Sequence, residues 1–345
     1  AAMISNVLNM PQENILPLIL ENEDLKRGDY SIACFSFAKQ LKLSPDNIAK
    51  KISDNVKLSN NFVSVSSIGG YVNFFVNKAV YINRIVSKVD SEKGKYGSSK
   101  QGVKKKCLIE HTSINPNASP HIGRARNAII GDFVARLMKF EGYEVQVHYF
   151  VNDIGKQIAM LVLGAEKCDK VKFDQLLSLY VSINQQVNED PAIASKVFEL
   201  LNKLEHGDAE VRERFRSIVD VCIDGQTKIL TDLGIHYDYF DYESEFLFNN
   251  SLDLIIKRLK EQGMLFEDEN GRYVINLEMH NLAPLVVTRQ DKTSLYPLRD
   301  IAYTIWKANQ NPDRNIIILG EDQKLYFNQI RATVEELGHT APEAI

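Results

Sequence analysis

The 345-residue chain is 44% hydrophobic and 25% charged, an ordinary globular balance that excludes general disorder and suggests two or three packed units. Its 41 Lys and Arg against 45 Asp and Glu leave a formal net charge of −4, so the strongly basic signature of a nonspecific nucleic-acid binder is absent. A partner read by shape at a local patch is not excluded by that balance. Cys34, Cys107, Cys168 and Cys222 are widely separated, form no CxxC pair and read as reduced structural thiols. No signal pattern opens the chain and no apolar run approaches a membrane span, which makes the cytoplasm the expected compartment.

In chain order, residues 1–100 mix helical and strand-like runs. Ser44-Pro45-Asp46 predicts a capped helix start leading into Ile48, Ala49 and Ile52. Phe62 to Val65 and Tyr71 to Val76 predict strands around a Gly69-Gly70 turn. The expectation is a small α+β domain over 1–100, followed by a linker in the Gly94 to Gly102 stretch. Lys104-Lys105-Lys106 reads first as a solvated lead-in to a strand and second as a local basic patch.

From Cys107 the pattern changes. A buried strand, Cys107 to Glu110, precedes a polar loop and a helix from about Arg124 to Glu141, with Ile129, Phe133, Leu137 and Phe140 on one face. A second strand, Val145 to Val151, completes a βαβ unit. Residues 158–233 predict long amphipathic helices, and Met264 to Leu277 a β-hairpin around Glu269-Asn270-Gly271. A helix near Asp300 to Ala308, a strand Asn315 to Leu319 and a helix after Gly320 then resume the α/β pattern. The domain expectation is an α/β, Rossmann-like parallel-sheet unit over 104–345 with a helical and β-hairpin insertion at about 158–290.

The sharpest segment is Asn115-Pro116-Asn117-Ala118-Ser119-Pro120-His121-Ile122-Gly123-Arg124, between a strand and a helix N-terminus. Helix N-termini offer unpaired N–H groups to phosphate at the C-terminal ends of parallel strands. Gly123 permits close backbone approach, His121 can donate a hydrogen bond, and Arg124 adds a permanent cation. A lone His before a helix is, by itself, more often structural than catalytic. Neither GxGxxG nor GxxxxGK[ST] occurs, which argues against a dinucleotide fingerprint or a P-loop.

This segment resembles the His-x-Gly-His signature of class I aminoacyl-tRNA synthetases. Ile109 to Pro116, Arg126 to Asp132, Val151 to Gln157, Leu295 to Tyr303 and Gly320 to Gln323 are similar, in order, to stretches of the arginyl-tRNA synthetases. Gly28-Asp29-Tyr30, Pro45 to Ile52 and Gly70 to Phe74 resemble that family's N-terminal domain, which contacts the tRNA elbow. The resemblance implies an arginine–tRNA ligase: ATP and Mg²⁺ activate L-arginine as the adenylate, and tRNA(Arg) receives it at its 3′ end. It places Glu110, Tyr296 and Asp300 around the arginine side chain and Asn115 and Gln323 at its α-amino and carboxylate end. His121, Gly123, Arg124 and Arg126 fall at the ATP site, the first three as the catalytic set, with no protein metal ligand. Planar carboxylates suit a guanidinium, which rewards paired charge-assisted hydrogen bonds.

The simpler reading of each acid alone is a surface charge, or for Asp300 a helix cap. Two positions depart from the family pattern: Arg124 stands at the second His of the signature, and Ile154 at the usual Trp. The family's lysine-rich second ATP signature and its helical anticodon-binding domain are expected past Ile345. A diverged arginine- or tRNA-binding paralogue without ligase activity is the alternative. A monomer without membrane attachment is expected.

Overall fold

Alternating strands with two-residue turns and helices with polar caps organise the chain into two units, Ala1–Gly97 and Ser98–Ile345. The computed structural model describes residues 1–117, 120, 122–166, 168 and 170–345, with the backbone alone at 124.

In the first unit, β1 (Ile19–Glu21), β2 (Tyr30–Ala33), β3 (Phe62–Ile68) and β4 (Tyr71–Val76) form an antiparallel sheet in the order β1-β2-β4-β3. Helices α1 (Ala2–Leu8) and α2 (Pro45–Asn55) supply its apolar cover. Ser44 caps α2 by accepting from Asn47 N–H at 3.3 Å, and Ile48, Ala49 and Ile52 are fully buried with Ile32 and Val72. Gly69 and Gly70, at φ +55° and +79°, make the left-handed two-residue turn that joins Ile68 to its partner Tyr71.

In the second unit, β5 (Lys106–Glu110), α3 (Ile122–Phe140) and β6 (Glu144–Val151) form the βαβ element. Between β6 and β7 (Tyr239–Tyr242) run α4 (Lys156–Ala165), α5 (Leu176–Glu189), α6 (Pro191–Glu205) and α7 (Ala209–Asp232), which pack around their own apolar cluster. A three-stranded antiparallel sheet of β8 (Leu265–Glu267), β9 (Tyr273–Ile275) and β10 (Leu285–Val286) follows. Gly271, at φ +74°, turns the β8–β9 hairpin. Helix α8 (Tyr296–Asn309), β11 (Arg314–Ile317), α9 (Lys324–Glu336) and β12 (Glu343–Ala344) complete a five-stranded parallel sheet in the order β12-β11-β5-β6-β7.

Cys107, Leu108 and Ile109 of β5 are fully buried, as a central parallel strand covered on both faces requires. Cys107 and Ile109 pack with Ala135 and Met138 of α3, while Glu110 turns to the other face and meets α8.

Two features differ from the sequence expectations. Helix α8 begins at Tyr296, with Pro297 in its first turn, so Asp300 sits inside the helix and is no cap. The apolar row on α3 faces outward: Ile129, Phe133, Leu137 and Phe140 are 52%, 65%, 45% and 37% exposed. Helical periodicity identifies an apolar face without saying what covers it. The face that α3 buries carries Ala128, Gly131, Ala135 and Met138. An ideal Cβ at Gly131 would lie 2.2 Å from His111 Cγ, so only glycine allows this approach. Gly131→Ala should cost about 1–3 kcal/mol of stability by overpacking, measurable as a lower urea midpoint at unchanged slope.

Candidate functional site

A cavity of about 440 Å³ opens at the C-terminal ends of the parallel strands, where open α/β sheets bind ligands. Glu110 ends β5, Asn152 follows β6, Glu243 follows β7, and Ile317, Ile318 and Leu319 lie at the end of β11. Across the cavity, α8 contributes Tyr296, Asp300, Tyr303 and Thr304, and α9 contributes Tyr326 and Phe327.

Glu110, Asn115, Tyr296, Asp300 and Gln323, assigned from the sequence to one amino-acid site, all line this cavity. Glu110 is 5% exposed and salt-bridged to the fully buried Lys307. Asp300 accepts a hydrogen bond from the Tyr326 hydroxyl. Burial raises its carboxyl to about 6, against the lowering effect of that bond. Tyr296 is 54% exposed at the mouth, with its ring 5.4 Å from that of Tyr326. Gln323 closes the single turn Glu321–Gln323 after β11.

Sequence reasoning missed several members. Glu243 is 1% exposed and accepts from Arg299 Nε at 2.5 Å, while Arg299 Nη1 donates to the carbonyl and hydroxyl of Ser294, both at 2.8 Å. Burial raises Glu243 to about 7, with Arg299 opposing and Asp300 reinforcing the shift. Asn152, with its amide oriented to satisfy both ends, donates to Glu243 Oε2 at 3.1 Å and to the Ile154 carbonyl at 2.6 Å. Glu243 stands within Asp241-Tyr242-Glu243-Ser244-Glu245, an acidic run that reads as solvated. Its usable signal was position, a carboxylate directly after a parallel strand.

Beneath the cavity, Asp241 Oδ2 accepts from Tyr303 OH at 2.6 Å and lies 2.7 Å from His148 Nδ1. His148 is thereby held in place between β6 and β7. The rings of Tyr303 and Phe150 stack at 4.2 Å, and those of Tyr303 and Trp306 at 5.8 Å.

The loop after β5 is strained and firmly held. Thr112 and Ser113 adopt φ +86° and +44°, a region that costs a residue with a side chain roughly 1–3 kcal/mol. Thr112 Oγ1 bonds His111 Nδ1 at 2.7 Å and Tyr237 OH at 2.6 Å. The Tyr149 hydroxyl accepts from Ile114 N–H at 3.1 Å, and Gln226 Nε2 donates to the Asn115 carbonyl at 3.1 Å. Burial lowers His111 to about 4, consistent with a neutral ring under α3.

Of the residues assigned to ATP, His121 and the Arg124 side chain lie outside the described residues. Gly123 and Arg126 are exposed on the first turns of α3 and do not line the cavity. Asn127, one residue further, does. Among the described residues no group of three or more His, Cys, Asp or Glu could hold a metal ion.

Residues 85–345 match the family model described as "tRNA synthetases class I (R), catalytic domain", and residues 1–76 match "Arginyl tRNA synthetase N terminal domain". The chain belongs to the class I arginyl-tRNA synthetases. It is 35% identical to the arginine–tRNA ligase of Methanocaldococcus jannaschii over 99% of its own length and 63% of the relative's. With the Archaeoglobus fulgidus enzyme of the same name the identity is 37%, over 91% and 57%. The chain thus spans roughly three fifths of these relatives. In fold it is similar to arginyl-tRNA synthetase of Thermus thermophilus, with TM-score 0.64 and 21% identity over 98% of this chain and 62% of that one. The Plasmodium falciparum arginyl-tRNA synthetase gives TM-score 0.64 and 18% identity over 99% and 63%.

Removing one partner of a buried ion pair costs about 3–5 kcal/mol, and removing both costs far less. Arg299→Met should therefore destabilise the chain more than Glu243→Gln with Arg299→Met. The deficit should be larger at pH 8 than at pH 6, where a proton replaces the lost guanidinium on Glu243. Urea unfolding of both variants at the two pH values measures this.

Proposed function

We propose that the cavity is the amino-acid site of an arginine–tRNA ligase, which forms arginyl-adenylate from L-arginine and ATP and transfers the arginyl group to the 3′ end of tRNA(Arg). The observation that carries this is Asp300: a half-buried carboxylate, bonded by a neutral hydroxyl, beside two further carboxylates that have cations of their own. Such a group favours an incoming cation, and a guanidinium can serve Asp300 and Glu110 together.

On this reading the guanidinium lies toward Glu110 and Asp300 with Tyr296 over it, and Asn115 and Gln323 take the α-amino and carboxylate end. The arginine carboxylate attacks the α-phosphate of ATP and pyrophosphate leaves. The terminal adenosine hydroxyl of tRNA then attacks the acyl carbon, and AMP leaves. Neither step needs a protein nucleophile. The work falls on alignment and on stabilising phosphate charge, for which the α3 N-terminus with His121, Gly123, Arg124 and Arg126 is proposed. Mg²⁺ enters with the ATP phosphates as part of that substrate.

The N-terminal unit takes the tRNA, in keeping with its matched family model. A monomer in the cytoplasm completes this reading. No described helix is long and apolar enough to cross a membrane.

Asp300→Asn should weaken arginine binding about 10- to 100-fold, the scale of a lost charge-assisted hydrogen bond, and leave citrulline nearly unaffected. Calorimetric titration with both ligands measures this, and equal loss of both would overturn the assignment. A bound guanidinium lowers the Asp300 pKa, so binding favours the ionised form. Arginine affinity should then fall as pH drops through about 6, with Glu243, at about 7, acting in the same direction. Titrations between pH 5 and pH 8 should show no parallel fall for citrulline.

A further inference from the structure

Lys307 lies two turns along α8 from Asp300, on the helix face that also carries Tyr296, Tyr303 and Thr304. That face runs from the mouth of the cavity, where Tyr296 is half-exposed, to its floor, where Lys307 is fully buried. There the Lys307 ammonium is salt-bridged to Glu110 Oε2 and sits 4.5 Å from the centroid of the Tyr303 ring.

A fully desolvated lysine is rare, because burying its charge is costly even when paired. Joining α8 to β5 does not require that charge. An apolar chain of similar length would fill the space, and replacing a whole buried ion pair by apolar residues is often neutral or stabilising. The reason for the ammonium therefore lies in what Glu110 does.

Three carboxylates line the cavity, Glu110 and Glu243 buried and Asp300 half-buried. Arg299 pairs with Glu243 and Lys307 with Glu110. Among the described residues no cation pairs directly with Asp300. We propose that Lys307 is a positioning residue for substrate selection: it holds one oxygen of Glu110 so that the other is presented to the cavity, and it cancels one carboxylate charge so that the site suits a single planar cation. This rests on the arginine reading of the cavity.

The test is calorimetric titration of the 345-residue chain with L-arginine and with L-citrulline as its uncharged near-isostere. Lys307→Met should lose about tenfold or more in arginine affinity and most of the preference for arginine over citrulline, and Lys307→Arg should restore most of both. Because Lys307 acts through Glu110, adding Lys307→Met to Glu110→Gln should bring no further loss. That double variant leaves no unpaired buried charge, so the comparison survives if Lys307→Met alone fails to fold. An unchanged preference in Lys307→Met, or a further tenfold loss in the double variant, would overturn the positioning role. A native chain that binds arginine no better than citrulline overturns the cavity reading and the Lys307 role together. The native titration thus separates the two failures.

Discussion

Charge taken out of water must find a partner, and in the larger unit that demand fixes how α8 lies on the sheet. Glu110 at the end of β5 holds Lys307, Asp241 on β7 accepts from Tyr303, and Glu243 just past β7 holds Arg299. Each tie joins a strand to a different turn of the same helix. Sliding α8 by one turn would break all three and strand several ions in the interior, whereas apolar packing alone would tolerate a shift far better. The position of Asp300 between these ties follows from the same constraint. The cavity is thus shaped by polar groups that leave the helix one register.

On the opposite face of the sheet the constraint is steric. Gly131 lets α3 press onto the His111 ring, and the chain reaches that helix through two left-handed residues, Thr112 and Ser113. Hydroxyl groups from β6 and the segment before β7, with the Gln226 amide from α7, hold the loop in that conformation. Backbone strain here is offset by hydrogen bonds drawn from elements distant in sequence, which fixes Asn115 at the rim of the cavity.

Much of this was legible in the residues. The βαβ unit, the β8–β9 hairpin, the Ser44 cap and the Gly69-Gly70 turn follow from local preferences that the tertiary structure leaves intact. Glu110, Asn115, Tyr296, Asp300 and Gln323 were recognisable as one group through family resemblance, though they span more than half of the larger unit. Glu243, Lys307 and Tyr326 were not. Their importance comes from burial, and a lysine eleven residues into an amphipathic helix has the local signature of a solvated one. The outward turn of Ile129, Phe133, Leu137 and Phe140 was hidden for a related reason: periodicity marks a face, and burial depends on the neighbours that the fold brings to it.

The chain has one tryptophan, and the fold sets it in a stack of rings. Trp306 lies against Tyr303, which lies against Phe150, and both Tyr303 and Phe150 form part of the cavity wall. Ultraviolet emission at wavelengths where tryptophan alone absorbs therefore arises from a single indole, one ring removed from the cavity. The protein carries a built-in optical reporter at its floor, which needs no label and is free of background from indoles elsewhere in the chain.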